Sequence, residues 1–262
     1  MGTPCGHPVY LSPHLDDAAL SCGGLIRQQA EEGSCPTVVT CFAGVPDYAL
    51  LSPFAADQHK KWGEPDAPIQ HRRREDAEVM RYLGADYQHW TYLDCIYRRH
   101  PESGDFLYTS EAALFGQLHS AEQYLCSELV ARLSTMFSIH GTEVYAPLAV
   151  GHHVDHRLVL LAALELQGRG FSIRYYEDFP YAIDNEKLDL ALKEWAVAPA
   201  STIQGLRPSD VDNKVSAIRL YRSQLEVLFG GETNCESAIR SYTLRAGGGG
   251  HFGERYWQGG RM

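Results

Sequence analysis

Along the chain, short apolar runs alternate with longer amphipathic stretches, and this alternation sets the fold class. Val9, Tyr10 and Leu11 form the first run, and Ser12-Pro13 closes it. A buried strand is predicted there, ending where His14 begins. Ala18 to Glu32 then reads as a helix, and residues 36–43, rich in β-branched side chains, read as a second strand closing at Gly44. Strand, helix, strand is the parallel βαβ pattern of an α/β protein.

Residues 44–70 carry Pro46, Pro53, Pro65 and Pro68 with little periodicity, and they read as a long irregular cover. Tyr48, Phe54, His59 and Trp62 within it offer aromatic surface for stacking on a ligand. A helix is expected from Arg72 to Gly84, with Ala77, Met80 and Leu83 or Tyr82 facing inward. Further on, strands are predicted at 87–92, 143–150 and 171–176, and helices at 111–138 and 158–166. Residues 185–229 read as helical, and Gly247 to Gly250 as a flexible loop.

Composition narrows the class. The 262 residues, 44% apolar and 21% charged, suit one globular domain over 1–262. Its core is expected at about 8–180, with a helical or irregular extension over about 181–262. A formal charge of −10 argues against a nucleic-acid backbone binder, which needs a basic stripe. No apolar stretch reaches the roughly 18 residues of a membrane span, and the first residues lack a basic segment followed by an apolar run. A cytoplasmic protein is expected. Seven cysteines, at 5, 22, 35, 41, 95, 126 and 235, form no CxxC pair, so buried free thiols are expected instead of a disulfide framework.

Two segments concentrate the chemistry: Ser12-Pro13-His14-Leu15-Asp16-Asp17 and His152-His153-Val154-Asp155-His156. Each follows a predicted strand, and open parallel sheets bind ligands beyond the carboxyl ends of their strands. His14 and Asp17 can flank one position at a tight turn, and His156 can complete a set of two imidazoles and one carboxylate. Such a set leaves room for water on a divalent metal, zinc by default and iron(II) by the same geometry. Asp16 is the candidate general base, and a protonated His153 the electrophile beside the metal. Asp155 is placed to hold the tautomer of a neighbouring imidazole. Neither a nucleophile elbow nor an H-E-x-x-H helix is present, and Ser21-Cys22-Gly23-Gly24 has the wrong spacing for a dinucleotide fingerprint.

These residues resemble the PIG-L/LmbE-like metal-dependent de-N-acetylases. Pro13-His14-Leu15-Asp16-Asp17 is similar to that family's P-H-P-D-D-E signature, and His153-Val154-Asp155-His156 to its H-P-D-H signature. Arg72-Arg73-Arg74-Glu75-Asp76-Ala77 through Leu83-Gly84 is similar to an R-x-x-E-A helix ending in Leu-Gly. The resemblance spans about residues 8–180, with weaker similarity at Tyr221-x-x-Gln224 and Glu254-Arg255-Tyr256-Trp257. It implies a Rossmann-like three-layer fold with a mostly parallel sheet. It also implies a zinc enzyme that removes acetyl from an N-acetylglucosamine-type sugar on a larger conjugate. His14, Asp17 and His156 match the metal ligands, Asp16 the base, His153 the oxyanion-stabilising histidine and Arg72 a substrate contact. Leu15 and Val154 stand in place of prolines, Ala18 in place of an acidic residue, and Gly151 where some relatives carry a tyrosine. The alternatives are a metallohydrolase of another amide or ester and a non-catalytic carbohydrate-binding relative.

Overall fold

The computed structural model describes residues 7–63, 66–195 and 197–259. Strand β1 (His7–Ser12), helix α1 (Asp17–Glu31) and strand β2 (Thr37–Thr40) realise the expected βαβ start. Helices α2 (Pro53–Lys61) and α3 (Pro68–Leu83) follow, then β3 (Asp86–His89), α4 (Glu111–Leu114) and α5 (Gln123–Met136). Strand β4 (Thr142–Pro147), α6 (Val154–Gly168) and β5 (Ser172–Tyr176) complete a five-stranded parallel section. Helix α7 (Asn185–Glu194) leads into β6 (Val197–Leu206), and α8 (Pro208–Ile218), α9 (Arg222–Phe229) and α10 (Glu232–Gly247) precede β7 (Phe252–Gly259). The strand order is β3-β2-β1-β4-β5-β7-β6, with β7 antiparallel to both of its neighbours.

Alternation along β1 sorts the two faces of the sheet. Val9 and Leu11 join Leu129 of α5 and Val159 of α6 in one buried cluster. Tyr10, between them, joins Ala18 and Cys22 of α1, Met80 of α3 and Ala217 of α8 in another. Residues two apart share a face of a strand, so the sheet lies between two helical layers. Because the chain leaves β1 toward β2 on one side and the next paired neighbour of β1 is β4, the strand order reverses between β1 and β4. A crevice opens at such a point.

Several expectations are corrected. The 44–70 cover contains α2, nucleated where Ser52 Oγ accepts the Ala55 N–H and Pro53 takes the first helical position. The inner face of α3 is Arg72, Glu75, Asp76, Val79, Met80 and Leu83, while Tyr82 is exposed. The long helix expected over 111–138 is two helices, α4 and α5. The break begins after Leu114 and turns Glu122 inward onto Arg98 and Tyr108. The 185–229 stretch includes β6, whose Pro199 and Gly205 dilute its strand signal and whose Ile203 stays half exposed. Residues beyond 181 therefore supply two strands to the same sheet. Gly247 ends α10, where a Cβ would stand 2.6 Å from the Phe252 carbonyl carbon, and Gly248 to Gly250 turn with positive φ into β7. The described cysteines are free and mostly buried, but Cys35 is exposed; Cys5 lies outside the described residues.

Glu254 of β7 ties three elements together. Its carboxylate accepts the backbone N–H groups of Gly24 and Leu25 in α1 at 3.0 and 2.9 Å, the Tyr256 hydroxyl at 2.9 Å and Lys214 Nζ of α8 at 2.6 Å. A Cβ on residue 24 would lie 3.0 Å from that carboxylate and 2.7 Å from Leu206, so glycine makes the approach possible. Removing one partner of a buried ion pair leaves the other charge unpaired in a low dielectric. Lys214→Met is therefore expected to destabilise the fold by about 3–5 kcal/mol in chemical unfolding. Lys214→Met combined with Glu254→Gln should cost less than the two single changes added together.

Candidate metal and catalytic site

The turn after β1 is latched by Ser12, whose hydroxyl donates to the His14 carbonyl at 2.7 Å and accepts the Ala18 N–H at 3.0 Å. This sets Asp17 at the first position of α1, where one carboxylate oxygen, Oδ2, accepts the His14 N–H at 2.7 Å. The connection from β4 to α6 is bent more sharply. Ala149, Gly151 and His152 all have positive φ, at 56°, 88° and 65°. Side chains other than glycine rarely adopt that region, and such strain clusters at functional sites. The bend delivers His153 as the N-cap of α6 and His156 in its first turn.

The two turns meet at Asp17. Its Oδ2 lies 3.3 Å from His14 Nδ1 and 3.3 Å from His156 Nε2. Carboxylates fix both imidazoles from behind. Asp155 Oδ2 sits 3.0 Å from His14 Nε2, and Asp178 Oδ1 sits 2.7 Å from His156 Nδ1. Those bonds assign the outer nitrogens as donors and leave the inner ones facing Asp17. Asp155 also accepts the Cys95 N–H at 3.0 Å and pairs with buried Arg98 at 2.6 Å.

Burial disfavours charge on the imidazoles, yet the surrounding carboxylates prevail at two of them. His14 is raised well above its usual pKa by Asp94, Asp155 and Asp17, and His156 is raised to about 10 by Asp17 and Asp178. Asp17 is held well below the carboxylate range despite its burial, by His156 and His14. The donor set thus calls for positive charge at its centre, which a divalent cation supplies. Nitrogens of His14, His153 and His156 also lie within 4.8 Å of one another. Oxygen and imidazole donors at this density fit a metal of the zinc or iron(II) type.

Asp16 is buried beside this centre, and burial pushes its carboxyl up to about 6, opposed by Arg72 and reinforced by Asp17. Arg72 Nη2 donates to Asp16 Oδ2 at 3.3 Å, and its guanidinium lies over the Trp62 ring at 4.9 Å. His153 departs from the expectation of a protonated imidazole: burial and the neighbouring His14 push its pKa well below the usual value. Its Nδ1 accepts the Asp155 N–H at 3.3 Å, which leaves Nε2 as the ring's N–H donor. All the expected residues meet in one region, and a cavity of about 140 Å³ opens onto His14, Asp16, Asp17, Arg72 and His153.

Four residues there escaped the sequence reading: Asp94, Cys95, Asp178 and Tyr181. Asp94 lines the cavity with Oδ2 3.7 Å from His14 Nε2, and Tyr181 forms part of the wall. The adjacent acidic residues Glu177 and Asp178 after β5 are the one signal the sequence carries, and they give Asp178 no partner. Of the four aromatic residues in the 44–70 segment, only Trp62 reaches the cavity. His59 is buried against the Tyr97 hydroxyl at 2.7 Å, and Tyr48 bonds Gln70 at 2.5 Å. Leu15 and Val154, which stand in place of the signature prolines, pack in one apolar cluster with Trp62 and Ile69, so packing holds these turns.

A mostly parallel α/β sheet with a histidine–carboxylate centre at its switch point defines a metal-site hydrolase of Rossmann-like architecture. The pattern of the PIG-L family, the GlcNAc-PI de-N-acetylases, matches residues 9–166, and the chain belongs to that family. It is an enzyme of the de-N-acetylase class. Over 243 residues it is 38% identical to 1D-myo-inositol 2-acetamido-2-deoxy-alpha-D-glucopyranoside deacetylase 2 of Saccharopolyspora erythraea, covering 84% of each chain. It is 27% identical to 2'-N-acetylparomamine deacetylase of Niallia circulans, covering 86% of this chain and 82% of that protein. The crystal structure of the zinc-inhibited form of teicoplanin deacetylase Orf2 superposes with a TM-score of 0.84 at 28% identity, over 97% of this chain and 98% of that one.

Because Asp178 alone among the described side chains orients the outer nitrogen of His156, Asp178→Ala should weaken zinc affinity roughly 10- to 100-fold. A titration in a zinc buffer checks this against wild type.

Proposed function

We propose that this protein hydrolyses the acetamide of an N-acetylglucosamine-type sugar carried on a larger conjugate, and that His14, Asp17 and His156 hold its metal. The observation that carries the reading is the single Asp17 oxygen shared by His14 and His156, with the Asp16 carboxylate beside it. The names of its relatives support the substrate class, since two act on acetylated amino sugars by description. The cavity supports it too. Polar His14, Asp16 and His153 line it together with apolar Trp62, Leu114 and Leu228 and half-exposed Val227. Sugars and their aglycones present such mixed surfaces.

A divalent cation bound at the site supplies Lewis acidity toward the amide oxygen and lowers the pKa of water. Asp16 takes the proton of the attacking water as its oxygen bonds to the acetyl carbon and the carbonyl pair moves onto oxygen. The His153 Nε2–H donates toward that oxygen, and it does so as a neutral imidazole. Collapse breaks the C–N bond, and the proton held by Asp16 passes to the leaving nitrogen. The products are acetate and the free amino sugar. Arg72, fixed by Asp16 and Trp62, is positioned to contact substrate, and Asp155 holds the His14 tautomer.

Zinc is our assignment for the metal, with iron(II) fitting the same donors. We place the enzyme in the cytoplasm, acting on a small-molecule conjugate and not on nucleic acid. Support comes from free cysteines, a net charge of −10 and the absence, among the described residues, of a helix long and apolar enough to cross a membrane.

Asp16→Ala should retain metal while losing turnover by roughly 10²- to 10⁴-fold on an aryl glycoside of N-acetylglucosamine. Acetate release and elemental analysis on the same preparation check this; near-normal turnover would remove Asp16 as the base.

A further inference from the structure

The phenol of Tyr181 stands apart from those of the fully buried tyrosines. Tyr10, Tyr176, Tyr221, Tyr242 and Tyr256 each donate to a named acceptor: Gln29, the Leu11 carbonyl, Asp76, Glu177 and Glu254. The Tyr181 hydroxyl has no such bond among the described residues, although its side chain lines the catalytic cavity beside His14, Asp16, Asp17 and His153. A phenol in a confined polar site ordinarily finds a partner.

Its placement is specific. Tyr181 follows β5 and lies within a short turn closed by the Ala182 N–H on the Asp178 carbonyl at 2.9 Å. The ring packs over Gly151, where a Cβ would stand 3.4 Å from the ring and 3.5 Å from the Tyr181 Cβ. It meets the His156 ring edge-on at 6.2 Å and the Phe115 ring at 6.1 Å, and Phe115 in turn meets His153 at 5.5 Å. A phenol ordinarily titrates near about 10, so the hydroxyl keeps its proton in neutral solution.

The geometry points to Tyr181 as a catalytic residue: its hydroxyl donates a hydrogen bond to the acetamide oxygen as that oxygen becomes negative. This rests on the deacetylase reading above. An unpaired donor held ready for developing charge needs no reorganisation when the charge appears.

Tyr181→Phe keeps the ring over Gly151 and removes only the donor. Unfolding midpoint and metal content should match wild type, and kcat/KM should fall by about 100-fold, chiefly in kcat. Affinity for a methylphosphonamidate analogue of the same amino sugar should weaken by the same factor, with affinity for the amine product unchanged. Wild-type affinity for the analogue in the variant, or equal losses for analogue and product, would overturn the assignment. A wild type loaded with zinc that releases no acetate would overturn the deacetylase reading itself, and this assignment with it.

Discussion

A single carboxylate oxygen, Asp17 Oδ2, joins the end of β1 to the start of α6 by facing both His14 and His156 at 3.3 Å. Everything around it follows from the electrostatics of that meeting. Asp16, Asp17, Asp155 and Asp178 all lie buried near the two imidazoles. Carboxylates withdrawn from water at this density are costly unless each finds a donor or a positive charge. Arg72 serves Asp16, Arg98 serves Asp155, and the Val150 N–H with His156 serves Asp178. Asp17 is left to the imidazoles and to the cation that the donor set fits.

The backbone is shaped to this demand. Ala149 and His152 in left-handed conformations cost of order 1–3 kcal/mol each. Hydrogen bonds from the Leu148 N–H to the Tyr176 carbonyl and from the Val150 N–H to Asp178 hold the segment against that strain. Asp178 therefore acts twice, on the backbone of the bend and on the imidazole the bend presents. The helix α3 works the same way on the other side of the cavity. Its Arg72 reaches Asp16, while Glu75 accepts from Ser223 and Asp76 from Tyr221, so one helix face links the base to the start of α9.

Strands β1, β2, β4 and β5, with the histidine segments after β1 and β4, were legible because each is written locally, as an apolar run ending in polar residues. The grouping of His14, Asp16, Asp17, His153 and His156 followed from the rule that parallel strands end at a common crevice. What stayed hidden depends on contacts far apart in sequence. Strand β6 is an edge strand whose period is blurred by Pro199 and Gly205, and β7 pairs with elements about 50 to 80 residues away. Asp178 and Tyr181 carry no motif; their roles arise only when β5 lies beside β4. The burial and the proximity of His14 that lower the pKa of His153 are likewise properties of the folded site. The glycine run before β7 read as flexible on composition, yet the close approach of Gly247 to Phe252 and Gly253 makes it an ordered corner.

The central claim is that the two distant motifs hold one metal ion between them. Metal content per chain, measured on wild type and on His14→Ala and His156→Ala purified identically, tests it most directly. About one equivalent in wild type, falling sharply in both variants, is the result the shared Asp17 geometry requires. Wild type without metal that also refuses added zinc and iron(II), or either variant retaining a full equivalent, would contradict it.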